Sequence, residues 1–320
     1  MISSPPVFVV NTGRCGSTLV SNILRAHPGV LSLSEFFFSV GGKAALHAGQ
    51  VSAREFWQIL STPRAEITFM LQHGLWIPEF LYVPRSSHDP RLKDGIPPLL
   101  LTTLPHLVDH PEEVYRRTER FVHSLPNDLL SSQYLALFDW LKDLLGKAVW
   151  VERSGASLTH LVELMSLWPE AKFVHLFRDG RECALSMSQH QGFRLFMNIW
   201  LTGRQPSLTT ASHIPLDRFG VFWSWMIIQR ARLLRKLPPD RVLQLRYEDL
   251  TADPVKEIRR LLTFVLPGFN DSLWLEAVAP TVKPQPIQWP GLSDHEIAGL
   301  QRACMPGLRA LGYLRHPAIA

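Results

Sequence analysis

Residues 7–26 read VFVVNTGRCGSTLVSNILRA, and this stretch decides the fold. An apolar, strand-type run from Val7 enters a loop with two glycines, Gly13 and Gly16, and a helical pattern starts near Ser17. In that order, the helix's first unpaired N–H groups and the positive end of its dipole face whatever lies at the strand's end. A phosphate-type anion suits that place. The glycines let the backbone turn sharply and come close to it. Ser17 and Thr18 add hydroxyl donors, and Arg14 adds a cation within the loop. Taken alone, TGRCGST is equally compatible with a tight turn before a helix. It is not the G-x-x-x-x-G-K-[ST] nucleotide loop, since the lysine is absent and the glycines are too close together. A phosphatase reading of Cys15 would need an arginine six residues on, where Ser21 stands.

The rest of the chain must choose between turn and cradle. Its 320 residues, 46% hydrophobic and 19% charged, can bury the core of one large domain, or of one domain with a helical insertion. A formal charge of +5 suits an anionic ligand, and with no run of five or six basic residues it is too mild to imply a nucleic-acid partner. Of the 33 basic residues 25 are arginine, the side chain with planar bidentate donors for phosphate and sulfate. Three cysteines far apart argue for a reducing compartment, and neither they nor the 13 histidines show metal-ligand spacing. With no signal peptide and no 18-residue apolar run, the expectation is a cytoplasmic protein without a membrane span.

Along the chain, a second short strand over 30–33 leads to Glu35, at a strand end of the kind where open α/β sheets meet ligands. Residues 41–146 then turn helical, with helices predicted over 53–60, 66–73, 111–125 and 129–145 and a proline-rich loop over 77–111. His106 and His110 in that loop read as surface or capping residues. Trp76, Phe80, Tyr82 and Phe36 to Phe38 suggest an apolar-walled pocket, or simply core. A strand over 148–152, a helix over 158–168 and a strand over 172–177 restore the α/β alternation of a parallel sheet. Arg153 and Arg178 follow those strands directly, as Arg14 follows the first, so all three arginines converge on one crevice. Asp179 is a candidate N-cap for the next helix, which carries Ser186 two turns in. Trp200, Phe219, Phe222, Trp223 and Trp225 read as core. A last strand over 242–246 precedes Tyr247, and helices over 254–264 and 293–311 close the chain.

Four of these stretches together resemble the sulfotransferases that use 3′-phosphoadenosine 5′-phosphosulfate (PAPS). VFVVNTGRCGSTLVSNILRAHPGV is similar to that family's 5′-phosphosulfate loop, FVHLFRDGRECALSMS to its 3′-phosphate motif, LRYEDLTADP to its late strand and turn, and LRALGY to its terminal helix. The resemblance implies a three-layer α/β fold, with a central parallel five-stranded sheet, as a single domain over 1–320. The helical insertion over 41–146 would then set specificity. It implies PAPS as donor, adenosine 3′,5′-bisphosphate (PAP) as product, and no metal. Donor contacts would come from Gly13, Arg14, Cys15, Gly16, Ser17 and Thr18 in the loop, and from Arg178 and Ser186 on the 3′-phosphate. Tyr247 and Lys283 are further candidates, the one packing under the donor and the other reaching a phosphate or water. The nearest branch is the tyrosylprotein and related carbohydrate- or lipid-directed one. There a glutamate just after the second strand is the base; Glu35 holds that place, 21 residues beyond Arg14. Arg153 would help hold the sulfonate, although ERSG replaces a lysine-containing turn, and Cys15 replaces a serine.

The acceptor would be a hydroxyl on a small molecule, a lipid or a carbohydrate, and a homodimer is compatible with the chain. Two other readings compete. A kinase would need the loop lysine and a magnesium-holding acidic strand end, and both are missing. A catalytically silent binding protein with the same fold would be free to lose Arg14, Glu35, Arg153, Arg178 or Ser186, and all five are present.

Overall fold

A computed structural model describes residues 5–84, 86, 89–203, 213–285 and 291–313. Five strands, β1 (Val7–Asn11), β2 (Val30–Ser34), β3 (Val149–Arg153), β4 (Lys172–Phe177) and β5 (Val242–Arg246), form one parallel sheet in the order β2-β3-β1-β4-β5. Every residue of β1, β2 and β3 is buried, and β1 and β3 open on the unbroken apolar runs VFVV and VWV, while Ser32 and Ser34 interrupt β2. Register aligns the strand ends: Ser34 pairs with Arg153 and Phe177 with Arg246. The carboxyl ends of neighbouring strands therefore open on one edge of the sheet.

Helices flank the sheet: α1 (Ser17–Ala26), α2 (Ala53–Ser61), α3 (Ala65–Gln72), α4 (Pro111–His123), α5 (Leu130–Leu144), α6 (Gly180–Gln189), α7 (Gln191–Thr202), α8 (Leu216–Trp225), α9 (Pro254–Val265) and α10 (Asp294–Ala310). Local chemistry sets several starts. Ser52 and Glu55 form a capping box on α2, as do Ser293 and Glu296 on α10. Asp179 accepts the Arg181 N–H at 2.9 Å to cap α6, as its position predicts. Where α6, α8 and α10 meet, Gly180 and Gly307 both lie against the buried Trp223 ring, and a Cβ on either would collide with it.

Beneath β1 lies an aromatic core in which Phe8 touches Phe37, Trp150, Trp168 and Phe173 at centroid distances of 5.2–6.3 Å. Phe36 and Phe37 are wholly buried against Tyr134 and Phe138 of α5, so they are core and not a pocket wall. This packing covers the β2 edge, while β5 stays half open at the other edge. Of the expected aromatic core, Trp200 is instead 40% exposed at the rim against Phe222.

The stretch read as loop over 77–111 is more ordered than its prolines suggest. It holds a helical turn at Arg91–Asp94, a π-helical turn at Leu99–Thr103 and a helical turn at Leu104–Leu107. Pro98 and Pro105 stand at the starts of these turns, where a missing N–H costs nothing. Thr103 Oγ1 donates to the Ser34 carbonyl at 3.1 Å, which seats this segment on the end of β2.

Candidate functional site

A crevice of about 930 Å³ lies where the carboxyl ends of β1 to β4 meet the insertion. Its floor is the loop after β1. Gly13 and Gly16 take φ of +80° and +90°, as glycine permits, and Arg14 between them takes +55°, which an arginine rarely adopts. Gly16 caps α1 without a side-chain bond, so the first N–H groups of α1 at Ser17 and Thr18 face the crevice. The Phe193 ring packs on Gly13 and the Tyr247 ring on Gly16, each where a Cβ would stand. Only glycine fits at either place.

Gly13, Arg14, Gly16, Ser17 and Thr18 line this crevice, and so do Glu35, Arg153, Arg178, Ser186, Tyr247 and Lys283. The sequence-predicted site residues thus come together, with one exception. Cys15 turns into the core, its Sγ 3.7 Å from the Leu176 carbonyl, and burial pushes the thiol up to about 11. Its side chain is removed from the expected donor contacts because the glycine turn on either side rotates it inward.

Glu35 follows β2 at φ +56°, with its N–H on the Arg153 carbonyl at 2.7 Å. Its carboxylate accepts from Arg153 Nη1 and from the Gly155 N–H at 2.8 Å, while Arg153 Nη2 donates to Ser34 Oγ at 2.6 Å. Burial raises the Glu35 carboxyl above its usual range despite Arg153 and the Gly155 amide. Arg153, placed by sequence beside the transferring group, directs both terminal nitrogens at the end of β2.

At the other end, Arg178 donates from Nε to Glu182 at 2.6 Å and from Nη2 to the Gln285 carbonyl at 2.9 Å, over the Tyr247 ring at 4.3 Å. Tyr247 Oη accepts the Gln285 N–H at 3.0 Å, and Glu248 accepts the Asp179 N–H at 2.9 Å. The YED turn after β5 thereby braces the RDG turn after β4. Arg14 reaches across to donate from Nε to Ser186 Oγ at 3.2 Å.

Two residues of the insertion enter the site that sequence reasoning assigned elsewhere or passed over. His106, read as a surface or capping residue, is 6% exposed and lines the crevice with Nε2 3.4 Å from Ser21 Oγ. Burial, with Arg25 and Arg153 nearby, pushes it down to about 4. Glu79 pairs with Arg14 at 3.3 Å. Trp76, Phe80 and Tyr82 do not line the crevice; Trp76 is exposed, and Phe80 and Tyr82 are buried. Pro78, Leu81 and Pro105 supply the apolar wall. Among the described residues no group of three or more His, Cys, Asp or Glu could hold a metal ion, and no helix is long and apolar enough to cross a membrane.

A family model described as "Sulfotransferase family" matches residues 104–270, just over half of the chain. The chain belongs to the sulfotransferase family. Solved structures similar to this sulfotransferase include the sulfotransferase domain of the olefin synthase of Synechococcus PCC 7002, 16% identical over 99% of this chain and 96% of that one, with a TM-score of 0.46. A sulfotransferase of Mycobacterium avium is 16% identical over 97% of this chain and 77% of its own, with a TM-score of 0.48. One from Alicyclobacillus acidocaldarius is 16% identical over 99% and 98%, with a TM-score of 0.46. No curated protein matches the sequence.

Proposed function

We propose that this sulfotransferase moves a sulfuryl group from PAPS to a hydroxyl acceptor by in-line displacement, with Glu35 as general base. The observation that carries this reading is a buried carboxylate at the end of β2, fixed by Arg153 and the Gly155 amide and facing the same crevice as the free N–H groups of α1. The chemistry of the crevice fits the donor. The Gly13–Thr18 loop and Arg14 would hold the phosphosulfate end, and Arg178, Ser186 and Lys283 the 3′-phosphate, with Tyr247 beneath. The donor supplies an activated sulfuryl group whose transfer, like phosphoryl transfer, asks the protein mostly for positioning and charge stabilisation.

Within that frame each residue has a task. Glu35 takes the acceptor's hydroxyl proton at a carboxylate oxygen, and its raised proton affinity makes it a better base than an ordinary glutamate. His106, held near 4, is the weaker base of the two and is left to hydrogen-bond. Arg153 orients Glu35, and Arg14 with the α1 amides meets the charge that develops on the bridging oxygen. The insertion over 41–146 contributes Pro78, Leu81, Pro105 and His106 to the acceptor side, which suits a partly apolar alcohol, lipid or sugar.

Calorimetric titration with PAP, AMP and ATP in the absence of magnesium tests the donor. The expected result is tight binding of PAP alone. ATP binding that strengthens with magnesium would replace this reading with a kinase, and no binding of any of the three would leave a silent fold.

A further inference from the structure

The insertion reaches the donor half of the crevice at a single tight turn, Pro78–Glu79. The turn is closed by the Phe80 N–H on the Ile77 carbonyl at 3.0 Å and tied down by the Leu81 N–H on the Leu101 carbonyl at 2.9 Å. It places the Glu79 carboxylate, its side chain 17% exposed, between two elements of the site. Oε1 lies 3.3 Å from Arg14 Nη1, and Oε2 lies 3.2 Å from His190 Nε2. His190 Nδ1 accepts the Phe193 N–H at 3.2 Å as the cap of α7, so Nε2 carries the hydrogen and donates to Glu79. Phe193 in turn packs on Gly13 of the loop. Burial alone would raise the Glu79 carboxyl; His190 and Arg14 more than offset it and hold it below the usual range, so it is an anion.

That anion stands in a crevice built for anions. Arg14 is also the side chain that donates to Ser186 Oγ, so one guanidinium joins the insertion, the glycine loop and α6. We propose that Glu79 is a positioning residue that latches Arg14 to the insertion and yields it to the donor's phosphosulfate, so that donor binding and the seating of the acceptor wall are one coupled exchange. The proposal rests on the PAPS reading above. Pro78 and Leu81, which flank the latch, belong to the acceptor wall, and Leu101, which ties the turn down, precedes Thr102, whose hydroxyl bonds the Glu35 carbonyl at 3.4 Å. Releasing the latch therefore reaches the backbone that carries the base.

The test is the affinity of the full-length protein for PAP, by calorimetry, in Glu79→Gln beside the wild type. Glutamine keeps an oxygen for His190 Nε2–H and removes only the charge facing Arg14. Loss of that competing charge should tighten PAP about two- to fivefold, the scale of a partly exposed ion pair, and lower the donor KM by a similar factor. General damage to the fold would move affinity the other way. Glu79→Asp, shorter by one methylene, keeps the charge but loosens its hold, and should tighten PAP by a smaller factor; it serves as the second variant if glutamine does not fold. Equal or weaker binding in a folded variant, with the wild type binding normally, overturns the latch and leaves the donor reading intact. Failure of the wild type itself to bind PAP overturns both.

Discussion

Glu152 is a carboxylic acid in the wrong place for a charge, and its removal as an acid should show in the pH dependence of stability. It lies on β3 beside Arg153, with no exposed surface, and Oε1 accepts from Ser154 Oγ at 2.5 Å and from the Phe37 N–H at 3.4 Å. Oε2 has no partner among the described residues. Burial pushes the group up to about 8, against the Ser154 hydroxyl and Phe37 amide, and the Glu35 charge adds to the rise. The folded protein thus keeps a proton that the unfolded chain releases near 4.5. Between those values the native state binds more protons, so its stability falls as pH rises, by roughly 4 kcal/mol over that span. Glutamine copies the neutral acid and cannot ionise. The gap in unfolding free energy between Glu152→Gln and the wild type should therefore widen in favour of the variant by about 4 kcal/mol from pH 5 to pH 8.5. That is on the order of 8 °C in a domain this large. Denaturant titrations at both pH values measure it. A gap that stays constant with pH would refute the buried neutral acid.

Two predictions concern the crevice. Glu35→Gln should keep PAP affinity and lose about 10²–10⁴-fold in kcat. In the wild type the acid limb of kcat/KM should lie above the usual carboxylate range, because burial favours the protonated form; full activity in the variant would remove Glu35 from the mechanism. Arg178→Ala should weaken PAP by about 10- to 150-fold, the scale of charge-assisted hydrogen bonds to a phosphate, and unchanged affinity in the same titration would sink its assignment to the 3′-phosphate.

The sheet was legible because its physics is local. Strands buried on both faces must be apolar runs, and Val7–Asn11, Val149–Arg153 and Lys172–Phe177 declare themselves that way. Residues at strand ends could be collected on one edge by topology alone. What stayed hidden was set by contacts between distant parts of the chain. His106 reads like any loop histidine until Leu99–Thr103 and Leu104–Leu107 seat it on β2, and Glu79 acquires meaning only from Arg14, 65 residues away. Phe36 and Phe37 became core because α5 covers them. The inward turn of Cys15 follows from positive φ on both sides of it, and no composition signal carries that.

Among the described residues, the non-glycine positions with positive φ are Arg14, Glu35 and Ala156, one after each of the adjacent strands β1, β2 and β3. Such backbone costs on the order of 1–3 kcal/mol per residue and persists where its surroundings over-determine it. At Arg14 and Glu35 charge pairing does so, and the degree of burial separates the fixed pair from the exchangeable one. Arg153 and Glu35 have side chains only 3% and 6% exposed, so separating them would strand a buried charge at a cost of about 3–5 kcal/mol. On the mechanism proposed above, that pair persists through turnover, with Arg153 as the fixed support of the proposed base. Arg14 and Glu79, at 28% and 17%, lie nearer to water, and parting them costs far less. On the proposed reading, an anion entering over Gly16 takes Arg14 from Glu79 and leaves Arg153 with Glu35. The same crevice thus sets a firmly held carboxylate at the end of β2 beside a loosely held cation in the loop after β1.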